Sequence, residues 1–196
     1  CWILFGGYSS SIVSQMPDEG TYTHVEAGTN MACAIKTDET VVCWGAVLDD
    51  SGDSIELAPP VISDTGVSYK FATIDVGQDF ACGITDAHQV KCWPDAMLPD
   101  ELSIPDGQFQ NITVGASHYC ARVKEGTTIT CSGLTGLNSG GFPLPSPVLP
   151  LNHLVSGNGF SCGLRPGNGA VNCWGVGLES VFTVIPCMRI ALILKR

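Results

Sequence analysis

The sequence predicts an all-β fold, a partial or incomplete β-propeller of repeated antiparallel blades, and three observations carry that expectation. One segment recurs four times, near residues 22–45, 71–94, 109–133 and 151–175. In each copy a glycine (Gly28, Gly77, Gly115, Gly157) stands five residues before a cysteine (Cys33, Cys82, Cys120, Cys162), and a second cysteine (Cys43, Cys92, Cys131, Cys173) follows ten or eleven residues later. The two cysteines of each copy bracket a polar turn between apolar runs. Successive first cysteines lie 49, 38 and 42 residues apart. Periods of that size mark propellers or solenoids, whose units bury their faces only against one another.

Each copy opens on a short alternating strand: Tyr22 to Ala27, Phe71 to Val76, Phe109 to Val114 and Leu151 to Ser156. The glycine that ends it supplies either a backbone conformation or a close approach that a side chain would block. A hairpin follows. In the first copy Ala32-Cys33-Ala34-Ile35 and Val41-Val42-Cys43-Trp44 flank the polar Lys36–Thr40, and in the fourth the turn is Pro166-Gly167-Asn168-Gly169, dense in turn formers. If each cysteine pair faces across the hairpin, a spacing of ten centres three-residue loops on Asp38 and Ala87. A spacing of eleven centres two-residue loops between Glu125 and Gly126 and between Gly167 and Asn168.

Ten cysteines in 196 residues are many for a cytosolic protein, and eight of them pair by position. Disulfides in an oxidising compartment account for this. Zinc is the competing reading, but short Cys-x-x-Cys knuckles and suitably spaced histidines are missing; reduced core cysteines are the third. Directly opposed residues of an antiparallel pair stand a little far apart for the bond, but a non-hydrogen-bonded pair can close it. The expected pairs are Cys33–Cys43, Cys82–Cys92, Cys120–Cys131 and Cys162–Cys173, each contributing on the order of 3 kcal/mol in the chain-entropy account.

Between copies run connections rich in Pro and Gly, such as Leu57-Ala-Pro-Pro-Val61, Leu98 to Gly107 and Gly140 to Pro150. Connections of this kind carry function in a rigid scaffold. The candidate binding residues are accordingly Asp49, Asp50, Asp53 and Glu56 after the first copy, Asp100, Glu101 and Asp106 after the second, and Phe142 after the third. The acidic run 49–56 offers hard oxygens but lacks the spacing of an EF-hand loop, so it reads as a solvated loop. Asn111-Ile112-Thr113 is a glycosylation sequon, meaningful on a eukaryotic secretory route.

The 19 acidic residues against 9 basic ones give a net charge of −10. That argues against nucleic acid, which needs a basic stripe. Apolar residues at 44% with 14% charged describe a folded chain. No apolar run approaches the ~20 residues of a membrane span. The chain begins at Cys1 with no leader pattern, so a signal peptide is expected to have been removed or to lie further upstream.

These motifs resemble the regulator of chromosome condensation repeat. The correspondence runs through Ala27-Gly28, Ala34-Ile35 and Cys43-Trp44-Gly45, and through Val76-Gly77, Gly83-Ile84 and Cys92-Trp93. It continues with Val114-Gly115, His118, Ala121-Arg122 and Cys131-Ser132-Gly133, then Ser156-Gly157, Gly163-Leu164 and Cys173-Trp174-Gly175. Cys1-Trp2 resembles the end of a preceding copy. The resemblance spans roughly residues 1–177 and leaves 178–196 as a divergent tail containing Cys187. It implies a seven-bladed ring of four-stranded blades, of which this chain holds four copies, as a fragment or a shortened variant. The paired cysteines are similar to the extracellular members, the crinkly-type receptor ectodomains and secreted β-lactamase inhibitors, more than to the nuclear exchange factors.

A catalytic constellation is not legible. His24, His88, His118 and His153 occupy unrelated positions, and His118 shares its place with Met31, Phe80 and Phe160, which marks it as a packing residue. Trp44, Trp93 and Trp174 recur at one place and read as blade-packing residues. The expected function is a non-enzymatic protein- or peptide-binding module, secreted or at the cell surface, with no cofactor, metal or membrane insertion of its own. An intracellular guanine-nucleotide exchange factor or chromatin adaptor, and a secreted enzyme inhibitor, are the alternatives.

Overall fold

The computed structural model describes residues 15–17, 20–100, 102–133 and 150–175. They form twelve strands in four three-stranded antiparallel sheets, each in chain order. The first blade holds β1 (Tyr22–Ala27), β2 (Met31–Lys36) and β3 (Val41–Gly45); the second holds β4 (Phe71–Val76), β5 (Ala81–Thr85) and β6 (Val90–Trp93). The third holds β7 (Phe109–Val114), β8 (His118–Val123) and β9 (Ile129–Gly133), and the fourth β10 (Asn152–Ser156), β11 (Phe160–Leu164) and β12 (Val171–Gly175). The resemblance implies a fourth strand per blade. Among the described residues the connection after β3 instead carries two isolated bridges, Leu48 with Ser54 and Val61 with Ser68. Prolines at 59, 60, 94, 99 and 105 remove donors a continuous outer strand would need.

All four expected disulfides are present, each between residues directly opposed in the hairpin register. Their Cα atoms are 4.0–4.1 Å apart. The hairpin centres fall where the cysteine spacing puts them. Lys36 N–H donates to Thr40 O and Thr85 N–H to Gln89 O, leaving three-residue loops centred on Asp38 and Ala87. The left-handed third position of these loops is taken by Glu39 (φ 70°) and His88 (φ 63°). In the other two hairpins the expected two-residue loops open to four residues. Val123 N–H donates to Thr128 O and Arg165 N–H to Ala170 O, and Gly169 closes its turn on Arg165 O. Pro166 favours this wider turn, because it fixes φ and offers no N–H for the tighter pairing.

The blades pack face to face, and every blade has an upstream face and a downstream face. Phe71, Ile74, Val76, Ala81 and Trp93 of the second blade bury Met31, Cys33 and Ile35 of the first. Phe109, Ile112, Val114, Tyr119 and Ala121 cover Phe80, Cys82, Ile84, Val90 and Cys92 in the same way. Leu151, Leu154 and Trp174 cover Cys120, Ile129 and Cys131. In the first three blades the disulfide therefore lies on the downstream face, sealed by the next blade. Trp93 donates its Nε1–H to Cys43 Sγ at 3.3 Å. Backbone bonds add to the packing: Phe71 N–H donates to Glu39 O and Phe109 N–H to His88 O, both at 2.8 Å.

The repeated glycines explain how closely the inner strands meet. None of the four adopts a left-handed φ; close approach is their purpose. A Cβ on Gly28 would overlap the carbonyl oxygen of Gly77, one on Gly77 that of Gly115, and one on Gly115 the His118 ring. Each glycine N–H also closes its own turn, as Gly77 does on Phe80 O at 2.9 Å.

Candidate functional site

Two of the connections singled out in the sequence meet at one groove. After β3, Val47 is buried in the seam between the first two blades, and the chain turns back so that Ile55 N–H donates to Val47 O. Asp49 folds the tip: its carboxylate accepts from the N–H groups of Ser51 and Asp53, both at 2.9 Å. After β6 a single turn of 3-10 helix, Asp95–Met97, leads into a segment tied to the third blade. Ser103 N–H donates to Ser132 Oγ at 2.7 Å, and Tyr119 Oη–H to Ser103 O at 2.7 Å. Ser132 stands where the other copies carry tryptophan, and this segment packs Leu98 and Leu102 against the second seam. Asp49, Asp50 and Ser51 form one wall of the groove and Ala96, Met97 and Leu98 the other, around a cavity of about 300 Å³. One wall is acidic, the other apolar.

A second surface runs along the inner strands. His24, Glu26, Thr73, Asp75, Asn111 and Thr113 line a groove of about 320 Å³. Asp75 accepts from Val114 N–H at 2.6 Å and from Val76 N–H at 2.8 Å, so it joins the second blade to the third. Burial holds its carboxyl above the ordinary carboxylate range, against the lowering pull of these donors and of Thr113, and Glu26 adds to the rise. His24 Nε2 lies 3.0 Å from Glu26 Oε1. Sequence reasoning passed over this wall. Its signal was the position two before each repeat glycine, which reads Glu26, Asp75, Thr113 and Val155 beside the apolar Val25, Ile74, Ile112 and Leu154.

Asp50, Asp53, Glu56, Asp100 and Asp106 are exposed. Asp49 and Asp50 reach the groove, whereas Asp53, Glu56, Asp100 and Asp106 do not line it. Glu101, Phe142, Cys1, Cys187 and the tail 178–196 lie outside the described residues. Asn111 sits half-buried on β7, on the inner wall, with no partner for its Oδ1. His118 is fully buried, its Nε2 2.9 Å from Ser161 Oγ of the fourth blade. Burial lowers its pKa to about 4. It is a seam residue, in keeping with its shared position with Met31 and Phe80. Among the described residues no helix is long and apolar enough to cross a membrane.

No family model matches the chain. The serine/threonine-protein kinase-like protein CCR2 of Arabidopsis thaliana is 27% identical over 187 residues, covering 83% of this chain and 23% of that protein. The chain thus spans about a quarter of the length of the curated relative it matches. Among solved structures, the crinkly ectodomain of the Arabidopsis thaliana receptor kinase ACR4 is 29% identical with a TM-score of 0.60, covering 78% of this chain and 50% of that one. Prp20p of Saccharomyces cerevisiae shares the fold at 16% identity and a TM-score of 0.55, covering 79% and 43%. With its four disulfide-stapled blades the chain is a partial propeller that resembles the regulator of chromosome condensation repeats and is similar to the crinkly ectodomains.

Proposed function

We propose that the chain is a non-enzymatic binding module of a secreted or cell-surface protein, presenting its inter-blade connections to a protein or peptide partner. The observation that carries this reading is the convergence of the 49–53 turn and the 96–98 segment, which follow different blades, on one groove with an acidic and an apolar wall. Sites on loops held by a rigid scaffold are the usual way such folds acquire specificity. The four disulfides favour the secretory route over the exchange-factor alternative. Support from relatives is of the same kind: the solved ACR4 segment is a receptor-kinase ectodomain, and Prp20p is described by its binding to Gsp1p and histones.

The test is a screen of the disulfide-intact chain against an array of extracellular proteins and peptides. A variant in which residues 49–53 are replaced by Gly and Ser, with Met97→Ser and Leu98→Ser, is screened in parallel. Binding that this variant loses supports the reading. Binding that survives intact, in a variant with native melting behaviour, removes the groove from consideration.

A further inference from the structure

The two connections that build the groove share an extreme of charge. Residues 46–70, between β3 and β4, hold Asp49, Asp50, Asp53, Glu56 and Asp64. Residues 94–108, between β6 and β7, add Asp95, Asp100, Glu101 and Asp106. A single basic residue, Lys70, accompanies these carboxylates, and it is engaged elsewhere, with its Nζ 3.3 Å from Glu39 Oε2. Among the described residues no Lys, Arg or His forms an ion pair with any of the acids in the two connections. The groove thus meets solvent through a field of uncompensated negative charge.

The opposite wall is apolar and fixed from behind. Met97 packs against both of the first two seams and Leu98 against the second, each half-buried, while Ala96 is exposed at the front. Backbone bonds hold both walls in shape: Gly52 N–H donates to Asp49 O at 2.9 Å and Met97 N–H to Pro94 O at 3.0 Å. Both walls follow blades whose downstream faces are covered, so the groove lies within the arc, between sealed seams.

Resting on the binding-module reading, we infer that the groove takes a basic, apolar peptide segment. A Leu- or Met-sized side chain of that segment lies against Met97 and Leu98, and flanking Lys or Arg side chains face Asp49 and Asp50. The cavity of about 300 Å³ stands at the lower bound of small-molecule sites, so one anchoring side chain enters while the charges stay on the rim. The rim acids speed encounter and reject wrong partners, and the buried anchor holds what has docked. Acidic peptides, nucleic acid and a second copy of this chain, with its net charge of −10, all meet like charge here.

The probes are fluorescein-labelled Gly/Ser peptides of one length, read by fluorescence anisotropy on the disulfide-intact full chain. One carries Leu flanked by Arg, a second Arg alone, a third Leu alone and a fourth Leu flanked by Glu. The first is expected to bind about tenfold or more tighter than each of the others, the gain from burying one Leu-sized side chain or from matching charge. Its affinity falls as salt rises from about 50 to about 300 mM, because the rim lies in water. Asp50→Lys reverses a rim charge and Ala96→Arg sets a cation on the apolar wall; both positions are exposed, so native melting is expected. Each weakens the first peptide about fivefold or more, the fold-change of a strong exposed ion pair. Glu125→Lys makes the same charge change as Asp50→Lys on the tip of the β8–β9 hairpin and leaves binding within about twofold, since salt screens distant charge.

Equal binding of the Arg-only peptide, preference for the Glu peptide, or no binding of the first at about 1 mM overturns the inference. The module reading then stands for a partner of other chemistry. Weakening by all three variants alike marks diffuse attraction to an acidic protein and overturns it too. Binding that neither Asp50→Lys nor Ala96→Arg disturbs removes the groove, and the module reading falls with it.

Discussion

Trp93 of the second blade lies over the Cys33–Cys43 disulfide of the first, its indole N–H 3.3 Å from Cys43 Sγ. The same ring stacks at a tilt on Phe71, with centroids 5.3 Å apart. One residue thus seals a covalent staple, anchors an inner strand and fills a seam. Trp93→Ala is expected to lower stability by about 3–5 kcal/mol, the range for emptying a buried aromatic site. Chemical denaturation of the oxidised protein checks this. A loss below about 1 kcal/mol, the scale of a surface change, would place the seam's energy elsewhere.

Disulfide accessibility follows from which face is covered. A mild phosphine reductant is expected to open Cys162–Cys173 first, since Cys173 is exposed, and the three covered pairs later. Timed alkylation followed by peptide mass spectrometry gives the order. In Trp93→Ala, Cys33–Cys43 should advance in that order. Simultaneous opening of all four pairs would contradict the account.

The glycine ladder sets a steric limit. At Gly77 an added methyl meets the backbone oxygen of Gly115, which has no rotamer to yield. Gly77→Ala is therefore expected to cost about 2 kcal/mol or more, as overpacking against rigid neighbours does. Thermal melting would reveal it, and an unchanged midpoint would show that the inner strands can part without penalty.

His118 makes the third seam sensitive to acid. Its folded pKa of about 4 lies below the ordinary 6.5, so the unfolded chain binds the extra proton between those values. Stability from the neutral ring is complete above about pH 6.5 and falls as pH drops toward 4, by up to about 3 kcal/mol. His118→Phe borrows the residue found at position 80 and should flatten that part of the profile. Denaturation midpoints at pH 7, 5.5 and 4.5 for both proteins decide the matter. Equal slopes would move the acid sensitivity to other groups.

The repeat made the strands, the hairpin centres and the disulfide partners readable, because a disulfide demands opposed positions and a fixed spacing defines opposition. Loop width was less legible: Glu125-Gly126 and Gly167-Asn168 suit a two-residue turn locally, yet the chain opens one residue further on each side. Among the described residues, the fourth strand implied by resemblance is missing from the connections after β3 and β6, where prolines remove ladder donors. The groove between Asp49 and Met97 joins residues almost fifty positions apart. Each half was visible as a polar or Pro-rich connection, but only the stacking of blades brings them together. The glycine's purpose could be narrowed to two options, and the carbonyl of Gly77 beside Gly28 selects between them.

Among the described residues every disulfide bridges positions ten or eleven apart within its own hairpin, and none ties one blade to another. Under tension along the polypeptide the blades can therefore peel away singly while each hairpin tip stays knotted. About 35 Å of contour per blade, the extended length of some ten residues, is withheld from stretching. The domain is in this sense an extensible strap with a built-in stop at each repeat, and the last of its length is released only when its sulfurs are reduced.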